Sequence, residues 1–355
     1  TIGGLPVGDN VSVSFASGVS TATLVAYRAE TTIVNAGDGT ISSTGYGLSL
    51  TVSPAPTTRL DLTPSGGPAT AGVPFTVTVT AHDAYLNVTP GYAGTVTFSS
   101  SDNATGVVLP GPYLFGASDN GTHAYTNGIT LITAGNQTLT TGDGLLSDAA
   151  IWSVAASTTV DHIVISPAAA TVVAGDNVTY SAQAFDRYNN TLGDVTAGTT
   201  FSINPLAGGS WSMNIYTSRN AGTWTVTGDS SGTIGTATLT VGAGRISLYT
   251  VTSDNYTVET SIAFTVKVTA YDASGNVVTN DNTTAVTMTS SSATMIFDGN
   301  GNGLFGEPGD NVKTLSAGTF DIQAKDNTAA GGVTITASDG SIRGTSSTYT
   351  VQNFR

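Results

Sequence analysis

One strand, written three times, constrains this chain more than any other feature. Its copies run Phe75-Thr-Val-Thr-Val-Thr-Ala-His-Asp83, Val178-Thr-Tyr-Ser-Ala-Gln-Ala-Phe-Asp186 and Phe264-Thr-Val-Lys-Val-Thr-Ala-Tyr-Asp272. Apolar residues fall at every second position, so Phe75, Val77, Val79 and Ala81, and their counterparts Val178, Tyr180, Ala182, Ala184 and Phe264, Val266, Val268, Ala270, share one face. Thr, Ser, Lys and Gln dominate the other, the pattern of a half-buried strand. Each copy closes on Asp-x-x-x-Asn: Asp83 and Asn87, Asp186 and Asn190, Asp272 and Asn276. Asp and Asn bond back to nearby backbone and tolerate left-handed conformations, so these pairs read as side-chain-closed turns, the alternative being calcium at module junctions.

Recurrence at intervals near one hundred residues predicts modules that each bury a core. Gly, Thr and Ser abound and no window reads as a long amphipathic helix, so the fold class is all-β. A formal charge of −14 and an isoelectric point near 4.2 repel nucleic-acid backbones and anionic membranes, and make divalent cations the natural counter-charge. The chain has no cysteine, which leaves stability to the cores rather than to disulfides. No apolar run of membrane-spanning length and no secretory leader occur, so any signal or anchor is expected outside this segment.

Residues 1–56 lack the repeated strand but match the end of the chain at an offset of 300 or 301. Gly8-Asp9-Asn10-Val11 answers Gly309-Asp310-Asn311-Val312, Gly18 answers Gly318, and Asp38-Gly39-Thr40-Ile41 answers Asp339-Gly340-Ser341-Ile342. The chain therefore opens on the C-terminal half of a module. The last module is whole and cannot lend the missing strands. Either the chain is cut from a longer array, or a neighbouring subunit completes the open sandwich. The remaining modules are expected at 57–157, 158–244 and 245–355, joined by short linkers, with Ala-Gly before an alternating strand (Ala221-Gly222, Ala317-Gly318) as a second landmark.

These residues resemble the tandem immunoglobulin-like repeats of bacterial and archaeal surface proteins, the invasin and intimin-type repeats among them. The resemblance rests on the strand running into Ala270-Tyr-Asp-Ala-Ser-Gly-Asn276, on Gly94-Thr-Val-Thr-Phe-Ser-Ser-Ser-Asp102 and on the Ala-Gly landmark. It implies tandem immunoglobulin-like β-sandwiches arranged end to end. Leu86 and Asn189 replace the Gly that precedes the turn Asn in the third copy, which leaves the turn type open in the first two.

The sharpest chemical signal is Asp298-Gly-Asn300-Gly-Asn302-Gly-Leu304-Phe-Gly-Glu307-Pro-Gly-Asp310. Oxygen donors at alternate positions followed by Gly resemble the front of a calcium loop. Position 12 is Gly309, so Glu307 or Asp310 has to replace the usual bidentate acid, and the predicted ligands are Asp298, Asn300, Asn302, the Leu304 carbonyl, Glu307 and Asp310. The bland alternative is a glycine-rich hairpin tip. Asn-x-Ser/Thr sequons stand at Asn10, Asn87, Asn103, Asn120, Asn136, Asn177, Asn189, Asn255 and Asn282, candidate glycosylation sites in a secreted protein. His82, His123 and His162 are spread over separate segments and read as strand or turn residues. Lys267 falls on the Thr face of its strand, and Trp152, Trp211 and Trp224 read as core or rim plugs. No acid pair, nucleophile elbow or phosphate loop recurs.

The reading that follows is a non-enzymatic extracellular structural protein of the cell surface, a filament or adhesin-stalk subunit, with strand complementation of the incomplete first module as its route to polymerisation where a longer array does not supply the missing strands. Copies of itself or flanking repeats are the expected partners. A module that binds glycan or a receptor, and a surface-layer lattice, are the alternatives.

Overall fold

The computed structural model describes residues 12–65 and 67–353. These form two compact units, one reaching from the first described residues to Thr159 and including 186–192, the other comprising 160–185 and 193 onward. The chain is all-β, its strands arranged in paired sheets that recur along the sequence. No helix is long and apolar enough to cross a membrane.

In the first unit the strand Phe75–His82 pairs antiparallel with Arg59–Ser65 and Thr122–Ile129. The second sheet runs in the order Ala69–Thr70, Ser147–Ala155, Gly135–Gly142, Thr95–Ser100, Tyr113–Leu114. Alternation sets the core: Val77, Val79 and Ala81 of one sheet pack with Leu139, Trp152 and Val154 of the other. In the second unit Phe264–Asp272 pairs with Ile246–Thr252 and Thr319–Asp326. Val266, Val268 and Ala270 enter a core with Phe320, Ile322 and Tyr349, while Lys267 on the opposite face is exposed. The copy in the shortest repeat is interrupted. Asn177–Thr179 and Ser181–Phe185 belong to different sheets, and fully buried Tyr180 sits between them.

The Ala-Gly landmark marks two different strands. Gly222 opens the strand Gly222–Ser230, which pairs with Thr233–Gly242 as Gly135–Gly142 pairs with Ser147–Ala155. Gly318 instead takes the place of Gly121: its carbonyl accepts the Ala270 N–H at 2.8 Å, as Gly121 accepts that of Ala81 at 2.8 Å. Both need glycine, because a Cβ would lie 2.6 Å from a main-chain carbonyl in each case.

Residues 12–56 hold local turns that match the last repeat. A two-residue hairpin closes Ala16 to Val19 and Ser316 to Thr319, with φ of 52° and 79° in the first and 49° and 75° in the second. Asp38 Oδ1 accepts the Thr40 and Ile41 N–H groups as Asp339 Oδ1 accepts those of Ser341 and Ile342. The Gly8–Val11 match lies outside the described residues. Between the turns the two segments diverge. Thr319–Asp326 is a strand flanked by Phe264–Asp272 and Met295–Asp298, whereas 20–28 carries no ladder. A strand needs a neighbour for its backbone groups, and the only ladder here is Thr31–Val34 with Leu48–Thr51.

Candidate functional site

Three turns that end the repeated strand share one hydrogen-bond network. Asp83 Oδ1 accepts the N–H groups of Tyr85 at 2.8 Å and Asn87 at 2.9 Å. Asp186 holds Tyr188 and Asn190, and Asp272 holds Ser274 and Asn276, in the same way. The residue before the Asn is left-handed every time, with φ of 68° at Leu86, 64° at Asn189 and 87° at Gly275. The turn type is therefore unchanged where Gly is lost, because the aspartate bonds outweigh the modest strain.

The second carboxylate oxygen reaches out of the turn. It accepts a linker N–H, from Ala55 at 2.9 Å for Asp83, from Ser157 at 2.9 Å for Asp186 and from Gly244 at 2.8 Å for Asp272. It also accepts the Asn side-chain amide, at 2.8, 3.0 and 2.9 Å. Each Asn then grips a segment some sixty residues earlier. Asn87 Nδ2 donates to the Tyr27 carbonyl at 2.7 Å and its Oδ1 accepts the Ala29 N–H at 2.8 Å. Asn190 does this with Ile132 and Ala134, and Asn276 with Arg219 and Ala221. The amide orientation is forced, since two acceptors face Nδ2 and one donor faces Oδ1. Every cycle thus joins a turn, a linker and the loop before the penultimate strand of the preceding repeat.

Electrostatics keep these carboxylates ionised. Asp83 and Asp186 are fully buried and Asp272 is 4% exposed. Burial pushes each carboxyl up, but the bonds from the Asn side chain and from backbone N–H groups outweigh it and hold all three below the ordinary 3.8, with Asp83 at about 2. Rings add to two of the cycles. Tyr85 packs on Tyr27 with centroids 4.8 Å apart, and Tyr188 covers Gly72 so closely that no Cβ would fit. In the third cycle Ser274 stands in the ring position and the matching Gly175 is open.

The 298–310 loop is organised around Asp298, which is 3% exposed. Its oxygens accept the N–H groups of Gly301, Asn302 and Gly303. Asn300 donates to Asp310 at 2.9 Å, Asn302 donates to Glu307 at 2.7 Å, and Leu304 gives its N–H to Asn302 Oδ1. The structure brings Asn300, Asn302, Glu307 and Asp310 together, while the Asp298 oxygens point into the loop's own backbone. Among the described residues no three His, Cys, Asp or Glu side chains converge as a metal group.

Asn103, Asn120, Asn136, Asn177, Asn189, Asn255 and Asn282 are exposed, and Asn10 lies outside the described residues. Asn87 is engaged: its amide hydrogens go to Tyr27 and Asp83, so a glycan there would displace the clamp. The histidines lie apart, each beside one acid: His82 by Asp61, His123 by Asp119, His162 by Asp161. Trp152 is buried in the core, and Trp211 and Trp224 are half-buried.

No family model matches the chain, and no curated protein matches it. Among solved structures it is similar to the Escherichia coli adhesin FdeC, at 20% identity over 84% of this chain and 99% of that one, with a TM-score of 0.45. It is similar to invasin, a bacterial integrin-binding protein, at 16% identity over 83% and 60%, with a TM-score of 0.34. It is also similar to domains 4–9 of the surface layer protein SbsC, at 20% identity over 84% and 48%, with a TM-score of 0.21.

Proposed function

We propose that this chain is a non-enzymatic structural protein of a cell surface, a subunit of a filament or adhesive stalk, whose repeats are clamped in sequence and whose residues 12–56 accept strands from a neighbour. The observation that carries the reading is the apolar face of residues 12–56. Phe15 is 69% exposed where Leu315 of the last repeat is 2%, and Leu24 is 48% exposed where Ala324 is fully buried. The strand that pairs with the Ala324 strand edge to edge in the last repeat, and satisfies its backbone groups, is Phe264–Asp272. The fitting occupant is thus a strand of alternating Val and Ala that ends in Asp-x-x-x-Asn, and residues 12–56 take it by strand addition. The copies of that strand within the described residues are all in use, so the donor is another polypeptide segment of the same kind.

The test is a synthetic peptide of residues 262–276 added to the intact chain. Binding is expected to slow hydrogen exchange at 20–28 and to quench fluorescence of a dye bound to the apolar face. Unchanged exchange and fluorescence at saturating peptide would remove the strand-addition reading.

Calcium is the second element of the proposal, supported by the oxygen spacing and by the gathering of Asn300, Asn302, Glu307 and Asp310. Turning the two amides presents their oxygens beside two carboxylates, a donor set that suits a hard cation. At calcium tenfold above its dissociation constant, the last repeat should gain about 1.4 kcal/mol relative to chelator. Identical melting in both conditions would end the claim.

A further inference from the structure

We propose that Asn327–Ala329 is a socket for the Asp-x-x-x-Asn turn of a further repeat joined in tandem to the last one; this rests on the clamp described above. The backbone sets the correspondence. Gly72 donates its N–H to the Leu131 carbonyl at 2.8 Å, Gly175 to Ser218 at 2.9 Å and Ser261 to Asp326 at 2.7 Å. All three donors are left-handed, with φ of 73°, 99° and 62°. The carbonyl one residue after the acceptor and the N–H two residues beyond that are the groups gripped by Asn190 in the first case and Asn276 in the second. In the last repeat these groups are the Asn327 carbonyl and the Ala329 N–H. The residue two places after the gripped carbonyl is Ala in every copy: Ala29, Ala134, Ala221 and Ala329.

Asn327 and Ala329 are exposed, and neither of these two groups has a hydrogen-bond partner among the described residues. The three turns that end the repeated strand are all engaged, on Tyr27, Ile132 and Arg219, so a second copy of this chain has none to offer. A tandem repeat brings its own, and a short linker supplies the effective concentration that so small a contact requires.

Hydrogen exchange at single amides tests the proposal. In the intact chain Ala29, Ala134 and Ala221 should exchange about fivefold more slowly than Ala329, the scale of one net hydrogen bond. In a chain where residues 57–157, which carry their own core, follow Arg355, Ala329 should slow by about the same factor. Replacing the Asn of the added turn by Ala should return it to the fast rate. Fast exchange at Ala329 in the extended chain, with the other three slow, overturns the socket alone. Fast exchange at all four overturns the clamp itself. Protection of Ala329 in the unextended chain that is lost on dilution would make a second copy the occupant and overturn the tandem proposal.

Discussion

Asp272→Ala is expected to lower the stability of the last repeat by about 3 kcal/mol, because charge-assisted bonds are each worth about 1.5 kcal/mol or more and the donors left behind are poorly hydrated. Four bonds go at once: those from Ser274 and Asn276 N–H, from the Asn276 side chain and from Gly244 N–H. For a domain of about one hundred residues that loss shifts the melting temperature by about 10 °C or more. Asn276→Asp separates the clamp from the turn. It keeps the shape and the turn bonds, but sets a carboxylate oxygen against the Asp272 carboxylate and the Arg219 carbonyl, where an N–H group now donates. This variant should be destabilised by about 2 kcal/mol at neutral pH and recover part of that on acidification, when one of the facing acids can carry a proton. A melt of Asn276→Asp indistinguishable from the parent would show that the Asn does no more than close its own turn.

Acid acts on the same network in the parent protein. The three clamp carboxyls titrate below their ordinary value of 3.8 in the folded state. Their contribution is therefore complete above 3.8 and is lost as pH falls below it, for Asp83 towards about 2. Melting followed from pH 5 downwards should fall steeply in that window. The fall should be shallower for Asp272→Ala, which has one such carboxyl fewer.

The repeated strand was legible because alternation places Val266, Val268 and Ala270 on one face whatever the tertiary context, and the turn was legible because Asp and Asn announce a side-chain-closed reversal. The clamp was not. Its far partners are the carbonyls of Tyr27, Ile132 and Arg219 and the N–H groups of Ala29, Ala134 and Ala221, and a backbone group leaves no residue signature some sixty positions away. The trace that existed was the recurrent Ala in those loops. The Ala-Gly landmark misled for a related reason: Gly222 and Gly318 both precede alternating strands, but they satisfy different close approaches in different sheets. In the 298–310 loop the spacing was readable, whereas the turning of Asp298 towards its own backbone depends on the left-handed φ of 76° at Gly301 and 82° at Gly303. Alternate oxygens converge on a common point only if the backbone leaves them free to do so.

Gly344→Ala carries the other large expected effect. A Cβ at this position would run into the main-chain carbonyl of Tyr249, where the strand Arg343–Thr345 passes the strand Ile246–Thr252. The same crossing recurs in the preceding repeat, where a Cβ on Gly235 would come within 2.7 Å of the Ile163 carbonyl. In the second repeat Asp148 spans it instead, accepting the Leu62 N–H at 2.7 Å. Two solutions thus exist for bringing the first strand of a repeat to the far sheet: a glycine with direct backbone contact, or a carboxylate that bridges. Alanine offers neither. Since a backbone carbonyl cannot rotate aside, the first strand has to shift, at a cost of about 3 kcal/mol, the upper part of the range for overpacking. Gly340→Ala is the control: its φ of +96° is strained for alanine but nothing lies within 4 Å, so about 1 kcal/mol is expected. Tyr249 also donates to Asp339 at 3.0 Å, and its strand begins two residues after Gly244, whose N–H the clamp holds. Gly344→Ala should therefore speed exchange at the Gly244 amide as well as lower the melting point, and Gly340→Ala should leave that amide unchanged. Equal melting of the two variants would mean that the crossing has slack which the observed separation does not show.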